Sequence, residues 1–552
     1  MLRKNDELTL TIERFGGEMG IAHLDGMTLF VQGALPGETV LARAQKVKPS
    51  HAFLKTLSVL SPAPERAEPP CPYYEKCGGC VCQHMTYDLS LQMKRETVQD
   101  ALRRIGGLDV EVRPVIGMDS PWHYRNKTAL PVGGEKGCPQ IGFFAPRSHR
   151  IIDIESCLIA RPESDQAASA LRRWMIKFQI PPYSEDTHTG LVRHFMSRVS
   201  RAGQVMAVII ATGPVPHERE AVAMLRAAVP GLCSVYLNIN RRNDNVILGS
   251  ESRLLWGEPR LEDTLCGLRY ALSPQSFFQV NPVQTEKLYR TAVDFAQLTG
   301  QELVADLYCG AGTISLLLAQ RARRVIGIEI VPQAILDAEE NARVNGVSNA
   351  EFHAAPAEVL LPQLVAQGLR PDVIVLDPPR KGCEEPVLRA IAQAAPRRVV
   401  YVSCDPATLA RDLKLLSALG YSPTACQPVD MFCYTSHVET VLLLSKIKTA
   451  IHIDIDLDMT ELDVTKAETK ATYEEIKAYV LEHTGLKVSC LYIAQVKAKH
   501  GIIERDCYNK PKTEGNRVPQ CPPEKEKAIE DALRHFQMIT DCPTSPDDSV
   551  AS

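Results

Sequence analysis

Between about residue 300 and residue 446 the chain alternates apolar β-runs (LVADLY, RRVIGIEI, DVIVLD, RRVVYVS) with helical stretches (TISLLLAQRA, QAILDAEENARVN, PATLARDLKLLSALG). Continuous apolar runs separated by helices describe strands buried on both faces, so this segment predicts a doubly wound parallel α/β sheet. Two later runs, SPTACQPVDMF and SHVETVLLLSK, fit strands closing its edge. The sheet needs more chain around it: 552 residues is far beyond a single core and predicts several domains.

Residues 1–62 alternate apolar and polar positions, with turns at Gly16-Gly17, Asp25-Gly26 and Pro36-Gly37, and read as a small β-barrel. Pro62, Pro64, Pro69 and Pro70 form a stiff connector into the cysteine-dense CPYYEKCGGCVCQHM. Residues 63–290 mix helices such as LSLQMKRETVQDALRRIGG with strands such as QVMAVIIAT and read as a central α+β domain. Residues 291–446 are the doubly wound domain. From 447 to 552 the character changes: IHIDIDLDM predicts a strand with one acidic face, TYEEIKAYVLEHTG a helix ending at Gly485, and CPTSPDDSVAS a disordered tail. This last segment is an appended module of unassigned role.

A formal charge of −4, from 62 basic against 66 acidic residues, excludes global attraction to polyanions, so nucleic-acid contact would rest on local basic stretches such as RHFMSR and RRN. Solvated surface explains each of those stretches singly. No signal-peptide-like start and no membrane-length apolar run is present, which predicts a cytoplasmic protein. In a reducing compartment seventeen cysteines point to metal, cluster or catalytic roles for some and ordinary burial for most.

The segment ADLYCGAGTISLLL sets a glycine-rich turn between a strand ending near Tyr308 and a helix beginning near Thr313. Glycine at Gly310 and Gly312 lets a ligand approach the backbone at the carboxyl edge of the sheet. Tight strand-to-helix turns also need glycine sterically, so the turn alone names no ligand. Glu329 ends the next strand, 23 residues after Asp306, where a carboxylate accepts ribose hydroxyls. There is no third glycine in the dinucleotide-binding spacing, which favours S-adenosylmethionine, a ligand without pyrophosphate. In VIVLDPPRKG, Asp377 ends another strand before a stiff Pro378-Pro379 turn and the basic Arg380 and Lys381.

Cys404, in VVYVSCDPATLARDL, follows a further β-run and precedes a helix start, where the dipole favours thiolate. Space-filling burial is the alternative for any one cysteine. Carbon 5 of uracil is a weak nucleophile, and thiolate addition at carbon 6 converts it to an enolate that attacks a sulfonium methyl. The carbon 5 proton must then leave to a base, for which Glu439 in TSHVET is the candidate.

DLYCGAGT, DPPRKG, SCDP and HVET, in this order, resemble the RNA uridine-5 methyltransferase family, together with SPQSFFQVN upstream. The resemblance covers roughly residues 5 to 446. It implies a Rossmann-like methyltransferase domain, Cys404 as nucleophile, Glu439 as base, and Gln279, Tyr308, Gly310, Glu329 and Asp377 at the S-adenosylmethionine site. GEMGIAHLDG and FVQGALPGE resemble a TRAM domain, an OB-like RNA-binding barrel. Two departures stand out: HAAPAE replaces a Gly-Asp after the third strand, near Pro356, and Cys433-Tyr434 stands before HVE where proline is common.

Cys71, Cys77 and Cys80 have C-x5-C-x2-C spacing, and Cys157 is available as a fourth ligand. Zinc and an iron–sulfur cluster both fit the spacing. The pattern resembles the family's ribosomal-RNA branch, which implies a [4Fe-4S] cluster and 23S ribosomal RNA as substrate. Transfer RNA is the alternative substrate, and a non-catalytic iron–sulfur RNA-binding protein and a cytosine-5 methyltransferase are the alternative functions. The protein is expected to be a monomer with RNA as its partner.

Overall fold

In the computed structural model, which describes residues 2–447, 473–500, 521–536 and 538, the alternating N-terminal segment forms six strands. These are β1 (Glu7–Thr11), β2 (Arg14–Gly16), β3 (Met19–Leu24), β4 (Met27–Gln32), β5 (Thr39–Val47) and β6 (His51–Ser61), in the sheet order β1-β5-β6-β4-β3-β2. Every second side chain, including Leu29, Val31, Val40, Ala42 and Leu54, enters one core, as the two-residue period of a strand requires. Asp25 and Gly26 both take positive φ, 49° and 78°, and close a tight hairpin between β3 and β4.

Helix α1 (Tyr87–Ala101) starts at Thr86, whose hydroxyl accepts the Leu89 amide at 3.4 Å. A central sheet follows: β7 (Lys127–Glu135), β8 (Cys138–Phe144), β9 (Ile151–Asp153), β10 (Val192–Val199), β11 (Val205–Ala211), β12 (Leu232–Ile239) and β13 (Glu251–Gly257), ordered β13-β12-β11-β10-β7-β8-β9. Only β11 and β12 pair in parallel, through the crossover helix α3 (Glu218–Ala228); α2 (Pro162–Lys177) links β9 to β10. Phe195, Ala207 and Ile209 face a core shared with α2 and α3, while Met196, Val208 and Ile210 face a second core.

The hairpin β14 (Leu261–Leu265) and β15 (Leu268–Leu272) leads to α4 (Pro282–Ala296), capped by the Asn281 side chain. The predicted parallel sheet then forms from β16 (Leu303–Leu307), β17 (Arg324–Glu329), β18 (Ala350–Ala354), β19 (Val373–Leu376) and β20 (Arg398–Ser403), alternating with α5 (Thr313–Ala319), α6 (Pro332–Val344), α7 (Ala357–Ala366), α8 (Glu385–Ala394) and α9 (Pro406–Ala418). The two closing runs are β21 (Tyr421–Val429) and β22 (Glu439–Lys446), and β22 is antiparallel to both its neighbours. The order β18-β17-β16-β19-β20-β22-β21 reverses between β16 and β19, which opens a crevice at the carboxyl ends of those strands.

Residues Met1–Lys448 and Thr449–Ser552 are separate compact units. In the second, α10 (Tyr473–Thr484), α11 (Cys490–Lys499) and α12 (Pro523–His535) bury Ile476, Val480, Ile493, Ile529 and Leu533 together. Gly485, at φ 71°, ends α10 where the sequence placed the stop. The IHIDIDLDM strand and the C-terminal tail lie outside the described residues.

Candidate active site

The crevice is a cavity of about 700 Å³. Gln279, Tyr308, Gly310, Glu329, Asp377, Cys404 and Glu439 all line it, so every predicted catalytic and cofactor residue meets in one place. Most stand at the ends of adjacent strands. Tyr308 follows β16 at φ +64°, a left-handed conformation costly for a tyrosine, and turns the chain into the glycine turn. Gly310, at φ +54°, has nothing within 4 Å of where a Cβ would stand; Gly312 packs against Ala338 and Phe352. Glu329 accepts the Gly310 amide at 3.2 Å on one oxygen and the Val331 amide at 2.9 Å on the other, so its carboxylate is fixed at the cavity wall with lone pairs to spare.

Beneath the turn, the Asp306 carboxylate accepts the Ser315 hydroxyl at 2.5 Å. Burial pushes the Asp306 and Asp377 carboxyls up to about 7, and for Asp306 the neighbouring acids add to it. Glu439 is pushed up to about 8 by burial and then by Asp377, with Arg380 opposing. A carboxyl so poised exchanges a proton near neutral pH.

Cys404 stands between β20 and α9. Its thiol is pushed up to about 11, by burial first and then by Glu439 and Asp377, with Arg380 pulling it down. The expected helix-start activation is therefore outweighed. Asp405 caps α9 and takes the amides of Ala407 and Thr408, both at 2.9 Å, so those N–H groups are not free to hold a thiolate. Arg380 is the cation that offsets the acids, and it lies 3.3 Å from His437 Nε2.

The sequence profile of the tRNA (uracil-5-)-methyltransferase family matches residues 258–447. An uncharacterized RNA methyltransferase of Clostridium tetani is 48% identical over 448 residues, covering 80% of this chain and 97% of its own. One from Halalkalibacterium halodurans is 46% identical over 447 residues, 80% of this chain and 98% of its own. This chain belongs to the RNA uracil-5 methyltransferase family. Among solved structures, the Pyrococcus abyssi tRNA (uracil-54, C5)-methyltransferase in complex with S-adenosyl-L-homocysteine is similar over 79% of this chain and 100% of its own, at TM-score 0.64 and 27% identity. The protein is accordingly an S-adenosylmethionine-dependent RNA methyltransferase. No helix among the described residues is long and apolar enough to cross a membrane.

The methyltransferase cavity also holds residues that motif reading passed over. Phe277 is 71% exposed at its wall, beside Gln279, and Phe432 and His437 precede Glu439. Glu358 lines it two residues past Pro356, returning a carboxylate where the sequence had lost the expected aspartate. SPQSFFQVN contains Phe277, HAAPAE contains Glu358, SPTACQPVDMF contains Phe432 and TSHVET contains His437, but only the tertiary placement selects these side chains.

Cys71, Cys77, Cys80 and Cys157 line a second cavity, of about 220 Å³. The Gly79 amide donates to Cys77 Sγ at 3.3 Å. Burial pushes the Cys80 thiol up to about 12 and Cys157 up to about 11, and each feels other thiols of the group. Among the described residues no group of three or more His, Cys, Asp or Glu side chains is arranged to hold a metal ion. Cys82 points elsewhere, into the packing of Phe15, Leu35 and Met93.

Proposed function

We propose that this methyltransferase acts on carbon 5 of a uridine in RNA, with Cys404 as nucleophile and Glu439 as base. The observation that carries the reading is that a cysteine, a buried carboxyl titrating near neutral pH and the cofactor-type residues Glu329 and Asp377 share one cavity. Bound S-adenosylmethionine supplies an electrophilic methyl on its sulfonium. Glu329 and Gln279 hold the cofactor and substrate side of the cavity, and Arg380 stabilises the Cys404 thiolate against the surrounding acids.

The thiolate adds to carbon 6, and the electrons of the C5=C6 bond pass to carbon 5 and O4 as an enolate. Carbon 5 takes the methyl, releasing S-adenosylhomocysteine. Glu439 then removes the carbon 5 proton, the C–H electrons re-form C5=C6, and the C6–S bond breaks to return the Cys404 thiolate. An enclosed thiol reaches carbon 6 only if the base leaves its stack, so the target sits in an RNA loop or is flipped out. Equal activity on fully duplexed RNA would contradict this.

We assign residues 1–62 as a TRAM-like RNA-binding module, 63–290 as a central domain holding a [4Fe-4S] cluster on Cys71, Cys77, Cys80 and Cys157, 291–446 as the methyltransferase domain and 447–552 as an appendage. Zinc at the thiols with no iron would overturn the cluster assignment. The cysteine cavity supports 23S ribosomal RNA as substrate; the transfer-RNA substrate of the similar Pyrococcus abyssi enzyme supports the second reading. Incubation with methyl-labelled S-adenosylmethionine and unmodified ribosomal or transfer RNA, followed by nucleoside analysis, separates them. Label in 5-methyluridine of ribosomal RNA, lost in Cys404→Ala, supports the proposal; label only in transfer RNA keeps the mechanism and changes the substrate.

A further inference from the structure

The nucleophile and the base reach the cavity by different routes. Cys404 leaves β20 into a capped helix, wholly within the parallel sheet. Glu439 begins β22 immediately after residues 430–438, which run as irregular chain from the end of β21 and carry Phe432 and His437 past the cavity wall.

This irregular segment is held from outside the sheet at its start and at its middle. At its start, Lys94 of α1 donates to Asp430 Oδ1 at 2.5 Å and to the Phe432 carbonyl at 3.0 Å, and the Tyr87 hydroxyl donates to Asp430 Oδ2 at 2.7 Å. Lys94 and Asp430 side chains are both fully buried, so neither has water as an alternative partner. At its middle, the Tyr434 carbonyl accepts two amides of the cysteine-rich segment, Val81 at 2.9 Å and Cys82 at 3.1 Å. Tyr434 sits at φ +60°, left-handed and unfavourable for a tyrosine, with its ring stacked on Trp122 at 4.4 Å and 26°. The Tyr124 hydroxyl donates to the neighbouring Cys433 carbonyl at 3.2 Å. A strained conformation persists only where its surroundings impose it, and here they are the Val81–Cys82 amides and the Trp122 face.

We propose that residues 430–438 are a strap clamped by the cysteine-rich segment and Trp122, that the clamp sets the position of Glu439 in the cavity, and that Trp122 and Tyr434 are positioning residues for proton removal. The proposal rests on Glu439 being the base. Neither aromatic residue lines the cavity, so their influence runs through the strap. Because Cys404, Glu329 and Asp377 are carried by the sheet, loosening the strap should spare addition and methyl transfer and delay elimination. Methylated RNA then remains joined to Cys404.

The test follows the covalent enzyme–RNA species on denaturing gels during a single turnover of the full-length enzyme with methyl-labelled S-adenosylmethionine and unmodified substrate RNA. Wild type, Glu439→Gln, Trp122→Ala, Trp122→Phe and Tyr434→Ala are compared, the last perturbing the strap from its own side. We expect Glu439→Gln to accumulate labelled adduct. Trp122→Ala and Tyr434→Ala should do so as well, with methyl transfer near the wild-type rate and release slowed roughly 10- to 100-fold, as for a misplaced catalytic group. Trp122→Phe, which keeps an aromatic face, should restore release. If Glu439→Gln traps adduct while the Trp122 and Tyr434 variants release product at the wild-type rate, or slow transfer and release equally, the strap has no positioning role and the base assignment stands. If Glu439→Gln itself traps none, the base assignment fails, and the strap proposal with it.

Discussion

Two seven-stranded sheets stand in the same unit, and only one of them carries a reactive edge. In the central sheet, neighbouring strands mostly run antiparallel, and β10 and β11 are buried along their whole length, with side chains alternating between two cores. It is a wall. In the C-terminal sheet, five parallel strands bring their carboxyl ends to one side, and the order reverses at β16 and β19. Tyr308, Glu329, Asp377 and Cys404 follow from that geometry, each at or just past a strand end. Equal strand number does not make a site; strand polarity and the crossover point do.

Substitutions on the two sheets should therefore fail in different ways. Cys404→Ala at the parallel edge should cut methyl transfer by roughly 10⁴-fold or more, as loss of a covalent nucleophile does, with the melting temperature near wild type. Activity persisting in that variant would remove the covalent route. Phe195→Ala in the wall should instead cost about 3–5 kcal/mol of stability in thermal or denaturant unfolding, leaving transfer by the folded fraction near normal. Glu329→Ala should weaken S-adenosylmethionine binding by roughly 10- to 100-fold in calorimetry, the loss of charge-assisted hydrogen bonds, without unfolding either sheet.

The smallest effect is a pH dependence. Glu439 must be ionised to accept the proton, so product release should climb with pH, pass its midpoint near 8 and level off above it. Stability should move the other way. Asp306, Asp377 and Glu439 hold protons to higher pH in the native state than in the unfolded chain, so stability is lost as pH rises from the ordinary carboxyl range through about 7 to 8. Coincident rises in release and stability over that window would contradict the assignment.

The reactive edge was legible because its signals are local: an apolar run fixes a strand, and the residue after it marks the carboxyl end. Asp377, Cys404 and the Gly310 turn needed nothing more. The helix ending at Gly485 was legible for the same reason. In the wall the strand QVMAVIIAT was legible as β11 but the pairing was not, because β7 pairs with β10 across β8, β9 and α2 and no local pattern encodes that. Nor was the strap, since Lys94 and Asp430 meet across 336 residues and a buried lysine reads in sequence as a surface one. Phe277, Glu358 and His437 look like ordinary surface residues until the fold turns them toward the cavity.

The core under α4 is built from both sheets at once: Met206, Val208 and Ile210 of the wall sit in the same cluster as Val304, Val375, Val402 and Val441 of the parallel sheet. The catalytic region is thus not a portable cassette. A fragment cut at residue 258, where the family profile begins, would leave that cluster without its wall side chains and expose apolar surface to water. The chemistry and the wall fold as one piece, so neither can be removed without unpacking the other.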